Sequence, residues 1–327
     1  MIRYINNLNL NFLNLMPYVL EYNALNFYST VKGHPLRDQK KHRRLKKRML
    51  SYIEDELKED AEMADSLGVS YRLPKLKEVI SHFQSLFKIF QNYGQVLDLR
   101  DQNNLKTGSR REDYPKYFNR NFHFQVNGYT SESSAEIYDH QVEILFAGMA
   151  APMRRLLLNE IAPFKKGKIL ELACGTGSAT EIVAKFLPDA FITATDMSYE
   201  YIDYAKKNRP FHNVTYKQLD ATSQTERADC VYHVFLTHEV PSQQRREILR
   251  HQLASLKPGG RGVIIDSLQV GDVDFLSEVL YDFPKYFHEP FYKHYIENPI
   301  EDILDELGAK RIKTTYRLFS KCVSFGR

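Results

Sequence analysis

The amino-acid sequence predicts a doubly wound α/β domain that follows a helical N-terminal region. From Lys168 onward, apolar segments of strand length alternate with segments of helical periodicity, which indicates parallel strands joined by helical crossovers. A glycine turn, Gly175-Thr176-Gly177, follows the first of these strands, where such sheets bind ligands. Before Lys168 the apolar residues recur mostly at the three- and four-residue spacing of helices.

Length and composition fit one large domain or two. The chain has 327 residues, 43% hydrophobic and 26% charged, with a formal net charge of +4, which excludes a disordered chain. Cys174, Cys230 and Cys322 are far apart, which excludes a disulfide scaffold and a thiolate zinc knuckle and indicates a reducing compartment. Asparagines interrupt the apolar residues 1–20, so we expect no signal peptide, no membrane span and a cytoplasmic location.

Two amphipathic helices are predicted in the N-terminal region. The first contains the basic segment Lys40–Arg48 and ends near Gly68. Taken alone, the basic segment suggests a nucleic acid or an anionic membrane surface, but the helical spacing of its apolar residues favours a charged outer helix face. The second helix closes near Gly94, and the polar residues 95–112 predict a connector. We therefore predict a helical accessory domain over residues 1–112.

An aromatic-rich segment over residues 113–150 follows, which we expect to act as a lid or connector, and an apolar helix is predicted near 147–162. The α/β domain occupies residues 151–327. Its predicted strands are 168–173, 190–196, 213–220, 229–236 and 261–267, with a terminal antiparallel pair at 311–316 and 319–325.

The turn after the first strand is the candidate cofactor site. Glycines allow the backbone to approach a ligand at the start of the following helix. The next strand ends at Asp196, nineteen residues after Gly177, near the spacing of a ribose-binding acid. Thr180 stands at the third glycine position of the dinucleotide fingerprint, and the Glu171 carboxylate would repel a pyrophosphate. A cationic sulfonium with its amino group is therefore favoured over NAD.

Five segments occur in the order found in class I S-adenosylmethionine-dependent methyltransferases: ILELACGTGS, TATDMS, LDA, the HE after the fourth strand, and LKPGGR. The sequence resembles the ubiquinone-biosynthesis-like, small-molecule branch of that family over about residues 145–327. The resemblance implies a Rossmann-like methyltransferase sheet and S-adenosyl-L-methionine as the cofactor. Ala173 departs from the pattern, because many members carry glycine there.

The resemblance also implies cofactor-binding roles for residues at the ends of the strands. The methionine end and the sulfonium would contact the first turn and the fourth strand, at Glu171, Ala173, Gly175, Gly177, His233 and Phe235. The ribose and the adenine would contact residues after the second and third strands, namely Asp196, Met197, Asp220 and Ala221. The Asp196 carboxylate would accept hydrogen bonds from both ribose hydroxyls, and Asp220 would bond the adenine amino group.

Catalysis and acceptor binding are predicted near the end of the fourth strand. Methyl transfer needs an aligned nucleophile in a dry site, and a base helps where the nucleophile carries a proton. His238 and Glu239 are the candidate catalytic residues, with a purely structural, hydrogen-bonded His238 as the alternative. Two aromatic clusters favour a largely apolar or aromatic acceptor. Its expected polar anchors are Gln125, Tyr129, Gln141 and His288. We expect no metal.

The sequence thus predicts methyl transfer from S-adenosyl-L-methionine to the oxygen, nitrogen or carbon of a small molecule. Two alternatives remain open: an RNA- or protein-modifying enzyme that docks through the basic helix 40–48, and a cofactor-binding module without turnover. The sequence after the fourth strand reads THEVPS and lacks the Asp/Asn-Pro-Pro-aromatic motif of nucleic-acid amine methylases, so we expect no nucleic-acid partner. The oligomeric state stays open.

Overall fold

The computed structural model describes residues 2–31, 39–101, 112–124, 128–223, 226–286 and 289–327. The chain forms two compact units. The helical unit comprises residues 1–104 and 136–155, and the α/β unit comprises residues 105–135 and 156–327. The functional boundaries expected near residues 112 and 150 stay predictions.

The helical unit is built from long helices around a small apolar core. Its helices are α1 (Ile2–Val31), α2 (Gln39–Ser66), α3 (Leu76–Asp101), most of α4 (Glu132–Leu145) and α5 (Ala150–Arg155). The core joins Leu25 of α1 and Ile89 of α3 to Ile137 and Ile144 of α4. The predicted helix that ends near Gly68 is confirmed, since α2 ends at Ser66 and Gly68 has a φ of 74°.

The asparagines of α1 hold this helix in place through hydrogen bonds. The Asn7 amide donates to the Val69 carbonyl at 2.9 Å and accepts from the Tyr71 amide at 2.8 Å. Asn11 is buried, and its amide donates to Oδ2 of Asp60 at 2.9 Å. Each buried amide therefore has a partner, which removes the cost of burying it. Within the described residues, no helix combines the length and the apolar character that a membrane crossing requires.

Helix α3 differs from its prediction in two ways. It continues through Gly94 to Asp101, so residues 95–101 are helical rather than part of a connector. In addition, only some of its apolar residues are buried. Ile89 lies in the core, whereas Leu76 and Phe83 keep 76% and 62% of their surface exposed.

The α/β unit contains the predicted sheet. Its strands are β1 (Lys168–Leu172), β2 (Phe191–Asp196), β3 (Val214–Gln218), β4 (Ala228–Val234), β5 (Leu256–Ser267), β6 (Lys310–Arg317) and β7 (Ser320–Gly326). Its helices are α6 (Leu157–Ile161), α7 (Ser178–Phe186), α8 (Tyr199–Asn208), α9 (Ser242–Ala254), α10 (Ser277–Tyr286), α11 (Tyr292–Glu297) and α12 (Ile300–Glu306). The predicted helix near 147–162 is divided into α5 and α6 at Leu156.

The sheet order brings the predicted cofactor-binding residues to the carboxyl ends of the parallel strands. The order is β3-β2-β1-β4-β5-β7-β6. Strands β1 to β5 pair in parallel, so their carboxyl ends all lie on the same side of the sheet. β1 lies between β2 and β4, which makes the end of β1 the switch point where ligands bind in such sheets. β7 pairs antiparallel with both β5 and β6, which confirms the predicted terminal pair.

Candidate functional site

The turn after β1 brings its backbone close to neighbouring elements. Ala173, Gly175 and Gly177 all have positive φ values, of 52°, 56° and 85°. A Cβ on Gly177 would lie 3.0 Å from the Tyr216 hydroxyl, so this position also lacks room for a side chain. Ala173 adopts a conformation that glycine enters without strain, which accounts physically for the glycine that many relatives carry there. The geometry is that of a ligand-binding strand–turn–helix.

Glu171 lies beneath this turn and is almost fully buried. Its Oε2 accepts hydrogen bonds from the Thr180 hydroxyl at 2.5 Å and the Tyr232 hydroxyl at 2.8 Å. Burial raises the pKa of Glu171 to about 7, although both hydrogen bonds oppose the shift. Thr180 therefore orients the carboxylate from the position that a third glycine would take in a dinucleotide site.

Asp196 connects the end of β2 to the glycine turn. Its Oδ2 accepts the Gly175 amide and its Oδ1 accepts the Ser198 amide, both at 2.8 Å. Burial raises the pKa of Asp196 to about 6, while these amides limit the shift. The predicted ribose acid thus lies directly at the turn.

The residues expected near adenine lie after β2 and β3. Oδ1 of Asp220 accepts the Thr222 amide at 2.7 Å and the Thr222 hydroxyl at 2.8 Å, which holds this turn. Ala221 is buried. Met197 is half-buried, and its backbone carbonyl accepts a hydrogen bond from the side-chain amide of Gln218 at 3.0 Å.

His233 ends β4 as a neutral, buried imidazole. Within the described part of the chain, neither of its ring nitrogens has a hydrogen-bond partner. Burial lowers the pKa of His233 to about 4. Phe235 follows with a φ of 56°, and its amide donates to the Ile265 carbonyl at 2.7 Å. An unpaired buried imidazole is costly for the fold.

His238 forms a short hydrogen bond with Asp266, which lies near the end of β5. Nδ1 of His238 lies 2.5 Å from Oδ1 of Asp266. The carboxylate also accepts the amide and the hydroxyl of Thr237, at 2.7 and 2.5 Å, and the Ser267 amide at 2.7 Å. Burial alone would lower the pKa of His238, but Asp266 raises it to about 9. Burial would likewise raise the pKa of Asp266, but His238 and Thr237 lower it to about 2.

A second polar cluster, which we call the acceptor-side cluster, comprises His123, Tyr129, Glu239 and Glu289. The Tyr129 hydroxyl donates to Oε1 of Glu239 at 2.8 Å and lies 3.0 Å from Nε2 of His123. Nδ1 of His123 is 3.1 Å from Oε1 of Glu289, whose pKa burial raises to about 7. Nε2 of His238 lies 3.8 Å from Oε1 of Glu239. The cluster therefore adjoins the His238–Asp266 pair.

Sequence reasoning missed Asp266, His123 and Glu289. Asp266 had a signal, because it is an acid at the carboxyl end of a predicted parallel strand. The other two come from distant segments and follow no spacing rule. Gln141 lies on α4 in the helical unit. Gln125 and His288 lie outside the described residues, so their predicted roles stay predictions.

The sequence comparisons identify the domain that carries this site. A family model described as "Methyltransferase domain" matches residues 169–260. These residues include the glycine turn, Asp196 and His238. Residues 169–260 of this chain therefore form a methyltransferase domain. The match covers β1 to β4 and the start of β5.

Two curated relatives are similar to parts of this chain. A ubiquinone/menaquinone biosynthesis C-methyltransferase of Desulfotalea psychrophila is 26% identical over 133 residues, which are 40% of this chain and 53% of that protein. A malonyl-[acyl-carrier protein] O-methyltransferase of Bacillus cytotoxicus is 37% identical over 79 residues, 23% of this chain and 28% of that protein. The chain thus spans about half of the first relative's length and about a quarter of the second's.

Two solved structures share the fold. Human N-acetylserotonin methyltransferase, solved in complex with SAM, aligns with a TM-score of 0.53 and 16% identity, over 74% of this chain and 69% of that one. A structure titled "PigF with SAH" aligns with a TM-score of 0.50 and 12% identity, over 73% and 70%. At these identities the similarity establishes the Rossmann-like fold alone.

Proposed function

We propose that this protein transfers the methyl group of S-adenosyl-L-methionine to a small-molecule acceptor. The observation that carries the proposal is the hydrogen bond from the Gly175 amide to Asp196, which joins the glycine turn to the ribose acid. The cofactor supplies an electrophilic methyl group on a sulfonium. The protein's part is to bind that group, to align the acceptor and to remove the acceptor's proton.

The charges at the turn favour this cofactor over a dinucleotide. Glu171 places a carboxyl group where a pyrophosphate would lie. Glu171 receives the amino group of the methionine end, with the backbone of Ala173, Gly175 and Gly177 around it. The unpartnered ring of His233 adds a neutral, polar surface near the sulfonium, next to the backbone of Phe235.

The adenosine end uses the carboxyl ends of β2 and β3. Asp196 retains lone pairs beyond the two amide contacts, and it accepts hydrogen bonds from the ribose hydroxyls. Met197 packs on the adenine ring. Asp220 accepts from the adenine amino group, with Ala221 beside it. Oδ1 of Asp220 already receives Thr222, so Oδ2 serves the ligand.

His238 is the base that removes the acceptor proton. Its Nδ1 is held by Asp266, which leaves Nε2 as the atom that accepts a proton. Asp266 stabilises the imidazolium that forms, as the carboxylate does in a Ser-His-Asp triad. Glu239 lies beside Nε2 and orients the acceptor together with Tyr129. A base at this place favours an acceptor that must lose a proton, such as a hydroxyl or an amine.

In this proposal the methyl acceptor is a small molecule, and the enzyme acts in the cytoplasm. The three cysteines are all free, buried thiols, which fits a reducing compartment. Buried aromatic residues around the His238 ring support a partly apolar acceptor. Tyr292 and Tyr295 lie edge-on to that ring, with centroids 5.8 and 6.0 Å away.

Methyl transfer from labelled cofactor tests the proposal. The purified protein is incubated with a small-molecule extract and, separately, with RNA and with protein fractions. We expect transfer into the small-molecule extract alone, with His238→Asn lowering the rate by roughly 10²–10⁴-fold while cofactor affinity is retained. Transfer only into RNA or protein would support docking through the basic helix, and cofactor binding without any transfer would support the non-catalytic module.

A further inference from the structure

Three helices of the helical unit converge on Glu21, His82 and His140. Glu21 lies on α1, His82 on α3 and His140 on α4. Nε2 of His82 contacts Oε1 of Glu21, and Nε2 of His140 lies 2.9 Å from Oε2 of the same carboxylate. One nitrogen from each imidazole therefore meets a separate oxygen of a single carboxylate.

These side chains are enclosed by the unit. The exposed fractions of the Glu21, His82 and His140 side chains are 9%, 16% and 7%. The two imidazole centroids are 4.2 Å apart, and Tyr18 lies edge-on to both rings at 5.1 and 5.5 Å. The aliphatic core around Leu25 is part of the same unit. Packing thus fixes the ring orientations and limits access by water.

The partners of the Glu21 carboxylate are the imidazoles of His82 and His140. In the part of the chain that the structure describes, no lysine or arginine forms an ion pair with Glu21. The neighbouring Glu143, by contrast, pairs with Arg154 at 3.1 Å. Burying an ionised carboxylate is costly unless a cation neutralises it. A divalent cation supplies charge to the carboxylate and bonds to all three side chains.

The donor set identifies the class of cation. The ligand atoms of the three residues all lie within 4.8 Å of one another. Imidazole nitrogen suits zinc, iron, copper and nickel, whereas magnesium and calcium prefer all-oxygen sites. Two histidines and one glutamate form a known ligand set for zinc. No metal-binding spacing motif marks this site in the sequence, because its ligands are far apart along the chain.

We propose that Glu21, His82 and His140 bind one divalent transition-metal ion, for which zinc is the probe. The ion bonds to Nε2 of each histidine and to the Glu21 carboxylate, and it ties α1, α3 and α4 together. All three ligands belong to the helical unit, and the role of the ion is structural. If one imidazole instead carries a proton and neutralises Glu21, the protein has no zinc site here.

Zinc titration of the full-length protein tests the proposal. After chelator treatment, calorimetry measures zinc binding to the wild type, to Glu21→Gln, to His82→Gln and to His140→Gln. The exposed His212 provides the control His212→Gln. We expect one tightly bound zinc ion in the wild type and the control, and an affinity at least ~100-fold weaker in each ligand variant.

Three results would overturn the metal site. The first is a wild type that binds no zinc, and the second is unchanged zinc affinity in the three ligand variants. The third is zinc that is lost with His123→Gln instead, because the ion would then lie in the acceptor-side cluster. If a variant loses its helical circular dichroism, zinc-edge X-ray absorption of the wild type decides the question. Coordination by two imidazoles is expected there, and coordination by none contradicts the proposal.

Discussion

The pairing of His238 with Asp266 links one buried residue to the pH dependence of the whole reaction. The raised pKa, about 9, means that His238 carries a proton at neutral pH in the free protein. The neutral form is the one that accepts a proton from the acceptor. Activity therefore rises with pH and levels off above the pKa of His238.

The pH profile of kcat/KM tests this pairing. We expect kcat/KM of the wild type to rise with pH along a limb centred at about pH 9. Asp266→Asn removes the charge that raises the pKa, so the limb moves to lower pH while the rate on the plateau falls. Binding of S-adenosylhomocysteine checks that the variant is folded. A limb at the same pH in both proteins would contradict the role of His238 as the base.

At the scale of elements, a buried ion pair joins α1, α2 and α5 in the helical unit. Oδ2 of Asp60 is 2.5 Å from Nη2 of Arg155, and its Oδ1 accepts Nε of Arg155 at 3.1 Å. The Tyr71 hydroxyl donates to Oδ2 at 2.8 Å, and Asn11 bonds both members of the pair. Removal of Asp60 leaves the largely buried Arg155 charge without its counter-ion.

Asp60→Ala is therefore expected to lower the free energy of unfolding by about 3–5 kcal/mol. Urea denaturation measures this change. The matched control is Asp55→Ala on the same helix, because the Asp55 side chain is 67% exposed and pairs with an exposed lysine. We expect the control to unfold at the wild-type urea concentration. Equal loss of stability in both variants would show that the effect of Asp60 does not depend on its pairing with Arg155.

The elements differ in how far their sequences predict them. β1 and β2 were predicted because each is a short apolar run that ends at a turn residue, and the same local signals located Gly175 and Asp196. Buried polar contacts depend on residues that are distant in sequence, so the partnership of Asp266 with His238 was not predicted. The helical unit shows the same limit, since Asn11 in α1 disrupts an apolar pattern but finds its partners on α2 and α5.

On the scale of the whole molecule, the two units differ in what the comparisons explain. The family model covers residues 169–260 of the α/β unit and none of the helical unit. In the proposed function, the site at the carboxyl ends of β1 to β5 binds the cofactor and removes the acceptor proton. In the helical unit, Glu21 and its two histidines form the proposed metal site.

The central claim is that the α/β unit binds S-adenosyl-L-methionine through Asp196 and the glycine turn. Calorimetric titration with this cofactor, with S-adenosylhomocysteine and with NAD tests it most directly, on the wild type, on Asp196→Ala and on the exposed control Asp189→Ala. We expect both sulfur compounds to bind the wild type and the control, and NAD to bind neither. Asp196→Ala should weaken binding by about 10–100-fold, the worth of hydrogen bonds to a charged group. Binding of NAD in place of the sulfur compounds, or unchanged affinity in Asp196→Ala, would contradict the account.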